Sequence, residues 1–314
     1  MFDWSDTALI FAGTIGLVLS LLLVWGRVGL LQLITLWVIY MSIDNVGQLF
    51  YGYGWEMMVL ETGFLSIVAY IFPSRWSVYL FRWFIFRVMF GAGLIKIRGD
   101  QCWRDLTCML YHYETQPNPG PLSWYFHNLP VDFHKIETAI SLFLELPVTF
   151  LYFAPPLLRN VSGILTIGFM ATLILSGNLS FLNWLTIVIT IPWLDDRICK
   201  KLWAKKFFVT PRWFKSLLGY SALALVIYLS IDPTINLMSP RQRMNSSFDK
   251  LRLVNTYGAF GSVGKHRDEI ILLGTSDKTI TAKTKWEEYE FHCKPGDVHR
   301  RPWLITPYHY RLDW

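Results

Sequence analysis

The stretch "DDRICKKLWAKKFFVTPRWFK", Asp195–Lys215, decides how this chain folds. It gathers Arg197, Lys200, Lys201, Lys205, Lys206, Arg212 and Lys215 into one short connection between two apolar runs. Basic clusters of this kind stay on the cytoplasmic side when the flanking segments insert into a membrane. If the apolar runs are spans, this loop orients every one of them.

Composition supports spans. An average globular domain carries roughly 25% charged residues. This chain of 314 residues has 17% charged and 53% hydrophobic residues, and its fifteen Trp, fifteen Tyr and twenty-two Phe suit aromatic belts at membrane interfaces. A span needs roughly 17–25 apolar residues. Eight segments qualify or come close: about 8–25, 28–43, 56–72, 78–97, 138–158, 161–176, 179–194 and 215–231. Those at 28–43, 161–176 and 179–194 are short enough to be re-entrant or partly buried instead.

Counting crossings outward from the basic loop puts Arg159, Arg75 and Arg27 in cytoplasmic turns, as the rule requires. The acidic N-terminus, the loop 98–137 and everything after 232 then face the lumen. Six spans would keep the same parity. The net charge of +6 largely reports this topology. No nucleic-acid-binding motif accompanies it, so no nucleic-acid partner is expected. The expected organisation is an all-α polytopic membrane bundle of about 6–8 transmembrane helices over residues 1–232. It includes the lumenal loop 98–137 and the cytoplasmic loop 195–214. A small lumenal antiparallel β domain follows over 233–314. There "RLVNTYGAF", "DEIILLGTS", "KTITAKT", "EEYEFHC" and "WLITPYHYRL" are short, β-branched and aromatic, and divided by turn residues. The stop at "RLDW" reads as an incomplete domain.

Ionisable side chains in hydrocarbon cost a few kcal/mol and normally face a partner inside the protein. Glu56, Glu61, Arg82, Arg87 and Glu145 fall in or beside apolar runs. Arg82 and Arg87 are expected to pair with Glu61 or Glu56 between neighbouring helices. Lys96, at the end of "MFGAGLIKI", is expected to snorkel into the headgroups. The alternative is a desolvated amine able to act as a base. Gly91, Ala92 and Gly93 on the same helix favour close helix packing, with room for a ligand as the alternative.

The loop 98–137 holds Cys102 and Cys108. In an oxidising lumen these can pair with each other or with Cys293, remain free, or act in redox chemistry. Cytoplasmic Cys199 stays reduced. The histidines His112, His127 and His134 match no metal spacing, so neither a metal site nor a cofactor is expected. "QPNPGP" cannot be helical and should shape a fixed surface. Asn245 in "NSS" is the expected glycosylation site.

The stretch "KIRGDQCWRDLTCMLYHYETQPNPGPLSWYFHNLP" resembles the signature loop of the lipase maturation factor family. "WEMMVLETGFL", "RWFIFRVMFGAGLIKI", "SGNLSFLNWLTIVITIPWLDD", "LVNTYGAFGSV" and "WEEYEFHCKPGDVHRRPWLITPYHYRLDW" also resemble it. The pattern is most similar to the branch of lipase maturation factor 1, where both Cys102 and Cys108 have counterparts. Against that family the chain reads as shortened at both ends.

The resemblance implies a multi-pass endoplasmic reticulum membrane factor that helps secreted homodimeric lipases, of the lipoprotein lipase type, fold and assemble. It implies immature secreted lipases, the lipid bilayer and lumenal redox or folding proteins as partners. Candidate client contacts are Trp103, Tyr111, Tyr113, Trp124, Tyr125 and Phe126, with membrane-interface anchoring as the competing role. Two other functions compete. One is a membrane enzyme with Lys96 as base, on a weak similarity of "FGAGLIKIRGD" to the vitamin K-dependent carboxylase family. The other is a lipid transporter.

Overall fold

A computed structural model describes residues 5–194, 212–292, 296–297, 299–300 and 303–304. Most of the basic loop that orients the bundle, with Cys199, lies outside the described residues, as do Cys293 and most of "WLITPYHYRL". The helices are α1 (Asp6–Val24), α2 (Leu30–Gly47), α3 (Gly54–Ile71), α4 (Arg75–Arg98), α5 (Gln101–Arg104), α6 (Met109–Thr115), α7 (Ser123–His127), α8 (Val131–Glu145), α9 (Pro147–Phe150), α10 (Pro156–Ser176), α11 (Leu182–Thr190), α12 (Arg212–Leu229) and α13 (Ile231–Met238).

Among the described residues seven stretches are long and apolar enough to cross a membrane: Asp6–Val24, Leu30–Tyr51, Gly54–Ile71, Arg75–Arg98, Val131–Phe153, Pro156–Ser176 and Ser216–Met238. Two of the three short segments, 28–43 and 161–176, are therefore full-length helices. The third is not. Residues 179–194 form α11 and a 3₁₀ turn, Ile191–Trp193. At 1.5 Å per helical residue this pair covers roughly 20 Å, short of a ~30 Å hydrocarbon core. Pro192 helps explain the early end, since it has no N–H to continue the helix.

α4 is the axis of the core. Phe84, Ile85 and Met89 are buried with Met58 and Leu65 of α3, Tyr152, Ile189 of α11 and Val226 of α12. By contrast α1 buries no residue and turns large apolar side chains such as Phe11 and Leu17 outward, as a lipid-facing helix does. The line Val131–Phe153 is broken in the middle. Pro147 starts a new helical turn, and Leu146 before it takes a non-helical conformation. This kink lies beside Glu145.

A cap closes one end of the bundle. It comprises α5–α7 and the chain after α13, which returns across α4. The Asp100 amide donates to the Gly261 carbonyl at 2.9 Å, Val263 N–H donates to Asp100 at 2.7 Å, and Trp103 Nε1 donates to Phe260 at 2.8 Å. The loop 98–137 and the segment after α13 thus sit at the same end, so α11 and its 3₁₀ turn, although shorter than a full span, return the chain from that end toward the side where α12 begins. Phe72 and Tyr220 meet as tilted rings, centroids 5.3 Å apart, where the end of α3 meets α12.

Among the described residues of this region four short strands form. Two antiparallel ribbons form, β1 (Ser246–Ser247) with β2 (Asn255–Thr256) and β3 (Leu272–Gly274) with β4 (Glu287–Tyr289). "KTITAKT" is a turn instead of a strand. Exposed Ile270, Ile271 and Ile280 show why: alternation is present, but no second layer covers it.

Candidate functional site

Two buried ion pairs organise the capped end. The first joins Arg87 of α4 to Glu61 of α3. Glu61 Oε2 also accepts from the Asn255 amide and Asn255 Nδ2, both at 3.1 Å, and from the Tyr257 hydroxyl at 2.8 Å. Arg87 donates to the Asn255 carbonyl, and its guanidinium lies over the rings of Trp83 and Phe84. Burial, and then the Glu61 carboxylate, push the Tyr257 phenol well above its ordinary range, so it remains a donor. The intramembrane pair is thereby a clamp that holds "LVNTYGAF" against the bundle.

The remaining charges sort themselves differently from a simple exchange of partners. Glu56 takes the Tyr40 hydroxyl, and Asp44 takes Arg252. Arg82 stacks over Tyr79 at 4.7 Å instead of meeting a glutamate. Its expected pairing with Glu61 fails because Arg87, one turn nearer the cap, occupies that carboxylate.

The second pair is Lys96 with Glu145, at 2.5 Å. Lys96 is 4% exposed, so it does not snorkel. The cap roofs the last turn of α4 and cuts off any path to headgroups. Its ammonium also lies 5.0 Å from the Trp103 ring centre. Local sequence brings the pair together. A Cβ on Gly93 would meet Leu146 and Glu145, so glycine lets the kinked end of α8 approach α4. Gly91 and Gly99 do the same for the cap, since a Cβ there would strike the carbonyls of Tyr257 and Gly261. The small residues of α4 thus serve packing, while Ala92 between them faces open space.

That space is a cavity of about 280 Å³ between the bundle and the cap. Its wall includes Lys96, Glu145, His112, Trp103 and Asn183, and the rest is mainly aromatic, Met and Leu. Glu145 Oε2 finds no hydrogen-bond partner among the described residues. His112 also lines the cavity, its ring against Tyr113 and Phe260. Burial, then the Lys96 charge, push its pKa down to about 4. The imidazole is therefore neutral near pH 7.

Cys102 and Cys108 form a disulfide, with Cα atoms 4.8 Å apart, packed against Trp103 and Val263. Between the two readings that kept Cys102 and Cys108 in a bond, the geometry selects their mutual one. "QPNPGP" is stitched to the end of α10: Gln116 Nε2 donates to the Ser176 carbonyl at 3.0 Å and Asn178 Nδ2 to Pro119 at 2.9 Å. His134 bonds Glu137 at 2.7 Å, and Glu137 accepts from Tyr113.

The six candidate contact aromatics divide. Trp124 and Tyr125 on α7 are 69% and 62% exposed. Tyr111 and Phe126 are half-buried. Trp103 and Tyr113 are buried in the cap and cannot touch a client directly. Asn245 also turns inward. It lines the cavity, and its amide packs against Gly54, where a Cβ would collide with it.

Residues 1–201 match the model for the lipase maturation factor transmembrane domain, and residues 253–314 match that for the lipase maturation factor C-terminal domain. The chain is 47% identical to lipase maturation factor 1 of Bos taurus and 44% identical to that of Homo sapiens, in both cases over 100% of this chain and 62% of the relative. It is 29% identical to lipase maturation factor 2 of Xenopus tropicalis, over 90% of this chain and 56% of that protein. The chain therefore spans less than two thirds of the curated relatives it matches. No solved structure matches it significantly. It is a multi-pass membrane protein. The chain belongs to the lipase maturation factor family, within the branch of lipase maturation factor 1.

Proposed function

We propose that this chain acts in the endoplasmic reticulum membrane as a factor that helps secreted homodimeric lipases, of the lipoprotein lipase type, fold and pair. The observation that carries the reading is identity of 44–47% along the whole chain to proteins named lipase maturation factor 1. The geometry is compatible with it. A disulfide-stapled cap, clamped to the bundle by Arg87 and Glu61, offers Trp124 and Tyr125 on one short helix. Aromatic side chains held rigidly at a surface cover apolar patches on a partner at low entropic cost. Immature lipases, lumenal redox or folding proteins and the bilayer are the partners in this account. In this account Lys96 has a structural role, held by Glu145 and lying over the Trp103 ring.

The test is rescue of secreted lipase activity in cells lacking the endogenous factor. The expected result is restored activity with the unaltered chain. Substituting both Trp124→Ala and Tyr125→Ala should lower it several-fold while leaving the protein level unchanged. Absence of rescue by a chain that accumulates at normal level, with its disulfide formed, would sink the reading.

A further inference from the structure

We propose that the cavity between the bundle and the cap binds a neutral single-chain amphiphile whose hydroxyl head donates a hydrogen bond to Glu145 Oε2. The inference is independent of any role in lipase maturation. It starts from a buried carboxylate. Glu145 is 4% exposed, and one of its oxygens takes Lys96 while the other finds no partner among the described residues. Leaving a buried acceptor unsatisfied costs more than a typical hydrogen bond contributes, so such an atom implies a partner. The residue also lines a partly open cavity of about 280 Å³, just under the ~300 Å³ lower end of ligand pockets.

The wall selects the chemistry. Lys96 and Glu145 neutralise each other, so a charged headgroup would face a like charge from one of them. A phosphate would meet the Glu145 carboxylate, and an amine would meet Lys96. A head that only accepts, such as a ketone, quinone or ether, leaves Oε2 as it was. A hydroxyl satisfies it, and neutral His112 can exchange a second hydrogen bond with the same head. Away from this corner the wall is mixed: Gln116, Ser176, Asn183 and Thr186 are polar, while Met89, Phe169, Met170 and Leu173 form an apolar strip that offers a bed for an alkyl chain. The polar corner lies at the cap and the apolar bed runs along α4 and α10. That order matches an amphiphile entering head first toward the cap.

The purified full chain should be cross-linked with a 1-monoacylglycerol carrying a mid-chain diazirine and a terminal alkyne, and the labelled peptides sequenced. The control is the same probe with both hydroxyls methylated. Expected labels fall on 89–96, 169–173 and 182–186. Half-maximal labelling should need at least about tenfold less of the hydroxyl probe than of the ether, the worth of one charge-assisted hydrogen bond. Ala92→Trp, which fills the space, should abolish the labels without lowering Tm. Equal labelling by both probes would overturn the proposal. So would labels confined to α1 and α2, a failure of Ala92→Trp to block a folded protein, or a cavity holding only water and taking no probe. If Ala92→Trp fails to fold, the hydroxyl and ether comparison on the unaltered chain decides.

Discussion

Arg87 and Glu61 show how one residue can carry the architecture. Their pairing was readable in outline, because charges in apolar runs must find partners. What they hold was not readable. Asn255 and Tyr257 reach Glu61 from more than 190 residues further along the chain. Removing one partner of a buried pair leaves an uncompensated charge and costs ~3–5 kcal/mol. Glu61→Ala should therefore abolish, or lower by many degrees, the thermal transition in detergent. It should also expose residues 239–292 to protease before the bundle itself is cut. His112 makes a separate prediction. An unfolded imidazole takes a proton near pH 6.5, while the folded one waits until about pH 4. Its contribution is full above pH 6.5 and is lost as pH falls from 6.5 to 4. The loss is at most ~3 kcal/mol, and less if water enters the cavity. Melting temperatures across that window should fall, and His112→Gln should flatten the fall.

At the scale of elements, α4 is the part on which the others depend. Its glycines mark the sites of closest approach, and each has a different neighbour. Gly91 faces a backbone carbonyl that cannot turn aside, so Gly91→Ala should destabilise by ~1–3 kcal/mol through overpacking. Hydrogen exchange should then rise at 255–261 more than in α3. The disulfide closes a short loop with a sequence separation of 6, for which chain entropy contributes about 2 kcal/mol. Cys102→Ser should loosen α5 and α6 and leave the spans intact, measurable as local exchange with an unchanged helical signal. Packing by small residues was legible in "GAGL". The kink that carries Glu145 to Lys96 was only half legible. Pro147 announces a break, but no local pattern says which helix the broken end will face. Lys96 was misjudged for the same reason: snorkelling is a property of an uncovered helix end, and a distant segment covers this one.

For the whole molecule, the test concerns sidedness. Protease added to sealed microsomes should spare loop 98–130 and residues 239–292 together and cut between 195 and 211. Digestion of the first two from outside would reverse the orientation. Cutting only one of them would break the cap. Asn245 should carry no glycan on the folded chain, read as an unchanged mobility after deglycosylation. A sequon shows that a glycan can be attached. It does not say that the side chain will turn toward Gly54.

The sequence by itself determined that this chain crosses a membrane several times, roughly where seven of the eight expected segments lie, and which long loops share an end. Those features follow from local hydropathy and from the placement of charge along the chain. Tertiary structure alone decided that α11 stops short, that Lys96 meets Glu145 and not the headgroups, and that two of the loop's six candidate aromatics are core. Each of these depends on what a residue far along the chain covers. Burial is a property of neighbours in space, and a one-dimensional pattern records only neighbours in sequence.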